Sequence, residues 1–281
     1  MSKKISVLLW IAAFVCTIAI VFYQRMTGPT HPLKASEMFE GSEVSYKFLR
    51  SFTSLQNFPV KVKTGDSVNS AFLKYRRYKS SDEWSEFEMK KEAGEFSGFL
   101  PGEPTAGKLE YSVKLVSGEK ELILNKGNTV VVRFKDEVPS IFLLTHIIFM
   151  ILSFFFAIRT GFEALRKNGN YLWMVNWTLG IVIIGGLILG PIVQKYAFGD
   201  LWTGFPFGYD LTDNKTLFAF IFWLAAFLLK KKSRWWVVTA SIMMIVVYLI
   251  PHSALGSELD YETGKMKNKF SHRIVQEYKI T

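Results

Sequence analysis

Residues 194–216 read QKYAFGDLWTGFPFGYDLTDNKT, a polar and aromatic segment that lies between two long hydrophobic runs. It contains three aspartates, six aromatic residues and four glycine or proline residues, a composition unlike that of a plain solvated connector. Such a segment is expected to be ordered at a membrane surface, where aromatic rings lie at the level of the lipid headgroups. The rings expected there are Trp202, Tyr196 and Tyr209. Asp213 or Asn214 is expected to cap the helix that follows.

Hydrophobic residues are concentrated in five runs without any Asp, Glu, Lys or Arg, namely residues 5–23, 141–158, 171–193, 217–229 and 235–250. A hydrocarbon core about 30 Å thick needs about 20 helical residues, so the first three runs are long enough to span it and the last two are short. We expect the lysines that follow the fourth run to extend that run to the membrane surface, and Trp235 and Trp236 to do the same for the fifth run. The sequence therefore predicts an α-helical membrane protein with five spans. An anchor helix occupies residues 1–25 and a four-helix bundle residues 140–250, with 194–216 as an outer loop.

The net charge of +10 is concentrated in three segments that flank the hydrophobic runs. Lys3 and Lys4 contribute +2, residues 159–170 contribute +2 and residues 230–234 contribute +4. Positive residues in short loops face the cytoplasm, so we expect the N-terminus inside and the C-terminus outside a bacterial cytoplasmic (inner) membrane. Nucleic acid is excluded as a partner, because no basic stripe with interleaved aromatic residues occurs on a candidate soluble face.

The region between the first two runs has the composition of a β domain. From residue 43 to residue 134 it contains about eight short β-rich runs separated by turn signals, a number typical of a small antiparallel sandwich. We expect residues 26–139 to form this all-β domain outside the cytoplasm, with residues 26–40 as an extended linker. Residues 251–281 are predicted to be an outer polar tail.

Three segments of this region, FLKYR at 72–76, WSEFEM at 84–89 and GKLEYSV at 107–113, resemble immunoglobulin-like and fibronectin type III modules. The pattern differs from antibody domains, because both cysteines are missing and Trp84 falls on a later strand than their core tryptophan. The resemblance implies a periplasmic interaction or spacing module, and it supplies no activity.

The outer segment WTGFPFGYDLTDNKT, together with an outward sandwich that precedes four spans, resembles a family of bacterial membrane proteins of uncharacterised activity. No activity can be carried over from that family. The sequence contains no phosphate-binding loop, nucleophile elbow, paired-cysteine metal motif or His-Glu-x-x-His, so an enzyme is not indicated. We expect a scaffold or accessory protein that contacts membrane lipid and recruits or supports an envelope protein at the outer face. A transporter is the competing class, but beyond one histidine, His146, the hydrophobic runs contain no ionisable relay.

An alternative function is haem or metal binding. His146 in the second run and His252 after the fifth are expected in the outer half of the bilayer, where two imidazoles from different helices could ligate haem iron. A divalent cation is the second possibility, because acidic oxygens and imidazole suit hard or borderline metals. The expected metal ligands are Asp210, Asp213, His252, Glu258 and Asp260.

Overall fold

The computed structural model describes residues 3–251, Gly256, residues 258–262, Gly264 and Met266. The chain divides into two compact units. The helical unit contains the described residues up to Pro29 and those from Val138 to Gly256. The β unit contains Thr30–Glu137 and the described residues from Glu258 onward, so the described end of the predicted tail belongs to the β unit.

The helical unit is built from six α-helices in the described part of the chain. They are α1 (Lys3–Thr27), α2 (Ser140–Leu165), α3 (Leu172–Val182), α4 (Gly190–Phe198), α5 (Leu211–Leu229) and α6 (Trp235–Leu249). A π-helical turn, Ile183–Leu189, joins α3 to α4, so that Leu172–Phe198 forms one continuous helix.

Four of these helices are long and apolar enough to cross a membrane, which indicates that the protein associates with one. They are Lys4–Thr27, Ser140–Leu165, Leu172–Phe198 and Leu211–Leu229. The prediction of five spans is wrong, because α6 has 15 residues. Helix α6 is apolar but shorter than the four candidate spans. The fold is mixed α/β, with four candidate spans, a shorter apolar helix and two β sheets.

Glycines allow α2 to approach its neighbours closely. A Cβ on Gly161 of α2 would lie 2.7 Å from the Cβ of Ser241 in α6, and a Cβ on Gly185 would lie 2.9 Å from the Cβ of Phe149 in α2. The Ser241 hydroxyl donates a hydrogen bond of 2.9 Å to the carbonyl oxygen of Ala157. Small residues at such crossings let helix backbones pack together where no hydrophobic effect drives them.

The β unit contains eleven strands in two sheets. The strands are β1 (Leu33–Phe39), β2 (Ser42–Phe48), β3 (Ser51–Thr53), β4 (Phe58–Lys63), β5 (Ser70–Arg77), β6 (Ser85–Glu88), β7 (Lys90–Glu92), β8 (Glu95–Leu100), β9 (Lys108–Ser117), β10 (Lys120–Ile123) and β11 (Val130–Lys135). One sheet has the order β1-β2-β4-β8-β7, and the other has the order β3-β11-β9-β5-β6 with β10 also paired to β9. Strand β1 lies in the segment predicted to be a linker.

The two sheets share one hydrophobic core. Alternate residues of β4 are buried, as expected for a strand with one face against a core. The ring of Tyr111 from β9 lies 5.7 Å from the rings of Phe48 in β2 and Phe58 in β4, so aromatic contacts connect the sheets. Trp84 takes no part in this core. It lies before β6, with the guanidinium of Arg76 at 4.5 Å and the ammonium of Lys74 at 5.2 Å from its ring.

Candidate functional site

The loop between α4 and α5, residues 199–210, is held by one carboxylate from the helix that follows it. Oδ2 of Asp213 accepts hydrogen bonds from the backbone N–H of Thr203 at 2.6 Å and of Gly204 at 3.0 Å. The side-chain amide of Gln194 in α4 donates to the same oxygen at 3.1 Å. Asp213 is 5% exposed, so this carboxylate fastens the loop from inside the helical unit.

The polar side chains at the start of α5 have two different roles, capping the helix and bonding to the loop. Asp210 is the N-cap, and its Oδ1 accepts hydrogen bonds from the N–H groups of Thr212 at 2.7 Å and of Asp213 at 3.3 Å. The prediction that Asp213 or Asn214 caps the helix is therefore wrong. Both side chains turn back to the loop, where Asn214 Oδ1 accepts the N–H of Phe205 at 2.7 Å.

Gly204 lies where the loop passes closest to α5. A Cβ at this position would lie 2.6 Å from the Cβ of Asp213, so any larger residue would push the loop away from the helix. The carbonyl oxygen of Gly204 accepts the N–H groups of Phe207 and Gly208, both at 2.9 Å, which closes a tight turn. The indole N–H of Trp202 donates to the carbonyl oxygen of Phe205 at 3.0 Å.

The loop exposes large apolar side chains on this fixed backbone. Phe205 is 60% exposed and Phe207 61% exposed, and the other large apolar side chains exposed on the loop are Leu201 and Tyr209. Of the rings predicted at the membrane surface, Tyr196 and Tyr209 are exposed, whereas Trp202 is partly buried. The loop is thus an apolar surface of fixed conformation, because hydrogen bonds hold the backbone that carries the exposed rings.

His146 is bonded to the backbone of the π-helical turn. Its Nδ1 lies 2.9 Å from the carbonyl oxygen of Gly185. Gly185 belongs to the π-helical turn, where the backbone hydrogen-bond pattern differs from that of an α-helix and leaves different carbonyl oxygens to accept side-chain hydrogen bonds. His252 lies outside the described residues. The predicted haem ligation by His146 and His252 remains a prediction.

The predicted metal ligands fall in different parts of the molecule. Asp210 and Asp213 belong to the helical unit and accept the hydrogen bonds given above, whereas Glu258 and Asp260 belong to the β unit. Among the described residues, no group of three or more His, Cys, Asp and Glu side chains could hold a metal ion. The set that includes His252 remains a prediction.

A buried ion pair in α2 was missed by the sequence analysis, which placed residues 159–170 in a loop. Helix α2 continues to Leu165, and Nη2 of Arg159 lies 2.8 Å from Oε2 of Glu163. Arg159 is 1% exposed, and its guanidinium lies 4.9 Å from the centre of the Trp10 ring in α1. The signal was present in the spacing of four between these opposite charges, which places them on one helical face.

A second polar site lies on the β unit, where Glu258 contacts two lysines. The sequence analysis named Glu258 as a candidate metal ligand and did not predict these contacts. Lys108 Nζ donates to Glu258 Oε1 at 2.7 Å, and Lys79 Nζ lies 3.4 Å from that oxygen. Burial and the cation of Arg133 lower the pKa of Lys108 to about 8, in spite of its contact with Glu258. Burial raises the pKa of Glu258, but the two lysines outweigh burial and hold that pKa below its usual value.

No protein-family model matches this sequence, and no curated protein is significantly similar to it. The function is therefore argued from the sites themselves.

Proposed function

We propose that this protein is an integral membrane scaffold or accessory protein that recruits a protein partner at the outer face of a bacterial cytoplasmic membrane. One observation carries the proposal: the α4–α5 loop presents Phe205 and Phe207 on a backbone that the Asp213 carboxylate holds in place. A loop that is already ordered loses little conformational entropy when it binds, so its apolar area contributes more fully to affinity. Aromatic residues, including phenylalanine, are also enriched in the buried core of protein interfaces.

The charge of the connecting segments supports the orientation in this proposal. After the correction of α2, Arg166 and Lys167 still contribute +2 to the α2–α3 connection, and residues 230–234 contribute +4 to the α5–α6 connection. With Lys3 and Lys4, these segments are proposed to face the cytoplasm. The α4–α5 loop and the β unit then face the opposite side.

The proposal is tested by purifying the tagged, full-length protein in a mild detergent and identifying what is bound to it in a fixed ratio. Double substitution Phe205→Ser/Phe207→Ser removes the exposed rings but leaves the bonds to Asp213 intact. The matched control is Phe99→Ser on the β unit, because Phe99 is 59% exposed and Phe205 and Phe207 are 60% and 61% exposed.

We expect a stoichiometric partner with the wild type and with Phe99→Ser, and its loss with the double variant. A partner retained by the double variant would contradict the role of the loop. A wild-type protein that purifies without any protein partner would contradict the scaffold function itself.

A further inference from the structure

Residues 258–262 belong to the β unit and are held there by contacts that depend on their side chains. Glu258 forms the contacts with Lys108 and Lys79 given above. The N–H of the next residue, Leu259, donates to the carbonyl oxygen of Ala106 at 3.2 Å. A carboxylate and a backbone N–H of the segment are thus bound side by side.

Tyr261 provides the second half of this attachment. Its hydroxyl accepts the N–H of Lys108 at 2.9 Å and donates to the carbonyl oxygen of Lys108 at 3.1 Å. The guanidinium of Arg77 lies 4.7 Å from the centre of the tyrosine ring, within the range of a cation–π contact. Phenylalanine could keep the ring contact but could form neither hydrogen bond, so the site favours tyrosine over phenylalanine.

The β unit supplies more cations than anions at this place. Glu103, which is 6% exposed, lies 3.6 Å from Arg77, and its carboxyl also interacts with the Tyr261 hydroxyl. Among the ion pairs of the described residues, Lys79 and Lys108 share Glu258 as their carboxylate. Without that segment, Lys79 and Lys108 would lack the carboxylate that they share, and the backbone N–H of Lys108 would lose the Tyr261 hydroxyl. An acidic segment with a tyrosine satisfies both needs.

We propose that this part of the β unit is a recognition site for a peptide segment that carries a glutamate and, three residues later, a tyrosine. Residues 258–261 of the same chain are its resident ligand in this structure. A segment of the same chemistry on another protein must compete with them for Lys108, Lys79 and Arg77. This inference goes beyond the proposed function, because it concerns the β unit and does not involve the α4–α5 loop.

Because the resident ligand belongs to the same chain, the dissociation constant that the segment needs in order to occupy the site can be stated. A segment that belongs to the same chain competes for the site at an effective concentration on the order of 1 mM. It can occupy the site in most molecules when the same segment, added as a separate peptide, binds with a dissociation constant below about 1 mM.

The experiment uses the full-length protein in detergent and a fluorescent peptide with the sequence of residues 256–266, GSELDYETGKM. The double substitution Glu258→Ala/Tyr261→Ala removes the resident ligand from the site. We expect this variant to bind the peptide with a dissociation constant below about 1 mM and at least about twofold more tightly than the wild type does, because the wild-type tail competes at about 1 mM. Adding Lys108→Ala should weaken peptide binding by about tenfold or more, since it removes a charge-assisted hydrogen bond.

Glu262→Ala is the matched control, because Glu262 is exposed in the same segment and that variant should bind the peptide as weakly as the wild type. Equal binding by the wild type and the double variant, or no binding to the double variant up to 1 mM, would overturn the proposal. If the double variant fails to fold, Tyr261→Phe gives a second readout. Hydrogen exchange at the Lys108 amide should then accelerate by about tenfold or more, and an unchanged rate would overturn the proposal.

Discussion

The Asp213 carboxylate joins three parts of the chain, namely α4 through Gln194, the loop through Thr203 and Gly204, and its own helix α5. Hydrogen bonds to an ionised group are about twice as strong as those between neutral groups. They are also costly to remove, because a buried donor that loses its acceptor pays its desolvation penalty. This residue therefore couples the conformation of the loop to the helices beneath it.

Asp213→Ala should destabilise the protein by about 1 to 3 kcal/mol for each N–H that remains buried without an acceptor. Hydrogen exchange at Thr203 and Gly204 should become faster, because both amides lose their shared acceptor. Exchange measured by mass spectrometry and a thermal melt in detergent test this expectation. The matched control is Asp200→Ala in the same loop, where an exposed side chain should change stability by less than about 0.5 kcal/mol. Similar exchange in both variants would show that Asp213 does not hold the loop.

The sequence could not separate the roles of Asp210 and Asp213. Both are good capping residues close to the start of a hydrophobic helix, so local preference allows either one. The choice depends on the N–H groups of Thr203 and Gly204, which lie about ten residues earlier in the chain. Such a contact is decided by the folded loop and is not visible in a local pattern.

At the scale of elements, the crossing of α2 and α6 depends on Gly161. The position leaves no room for a side chain, because an added Cβ would lie 2.7 Å from both the Cβ and the Oγ of Ser241. Gly180 in α3 offers the opposite case, since an added Cβ there would meet nothing within 4 Å. These two helical glycines therefore form a matched pair for substitution.

Gly161→Ala should destabilise the protein by about 1 to 3 kcal/mol, because overpacking forces the two helices apart. Gly180→Ala should be neutral or stabilising by up to about 1 kcal/mol, because alanine has the higher helix propensity. Thermal unfolding of the two variants in the same detergent gives the comparison. An equal loss of stability in both would contradict the close crossing of α2 and α6.

The limits of the sequence at this scale have two physical causes. Helix α2 extends past the predicted end of its hydrophobic run because Arg159 and Glu163 neutralise each other one turn apart and can be buried together. Strand β1 was taken for part of a linker because Gly28, Pro29 and Pro32 come shortly before it. It forms through backbone pairing with β2, which a hydropathy pattern does not report.

At the scale of the whole molecule, the sequence predicted the division into apolar helices and a β-rich region. Helices that cross lipid are long continuous apolar segments, whereas strands with one buried face show alternating apolar and polar residues, so the two patterns are distinct. The number of spans was wrong, because α6 is no longer than its short hydrophobic run and does not reach the length of the four candidate spans. The attachment of the tail to the β unit could not be predicted. It rests on Glu258 and Tyr261, two residues in a polar segment without any periodic pattern.

The central claim is that the β unit and the α4–α5 loop face the outside of the cell, where a partner can reach the loop. It is tested most directly by labelling intact cells with a membrane-impermeant thiol reagent, in a background where the single cysteine, Cys16, is replaced by serine. Three exposed positions serve as single-cysteine reporters: Glu119→Cys on the β unit, Asp200→Cys in the loop and Lys231→Cys between α5 and α6.

We predict that the reporters at positions 119 and 200 react in intact cells, and that the reporter at position 231 reacts after the membrane has been permeabilised. Protection of position 200 in intact cells would contradict the account, because a loop on the cytoplasmic side cannot recruit a partner at the outer face.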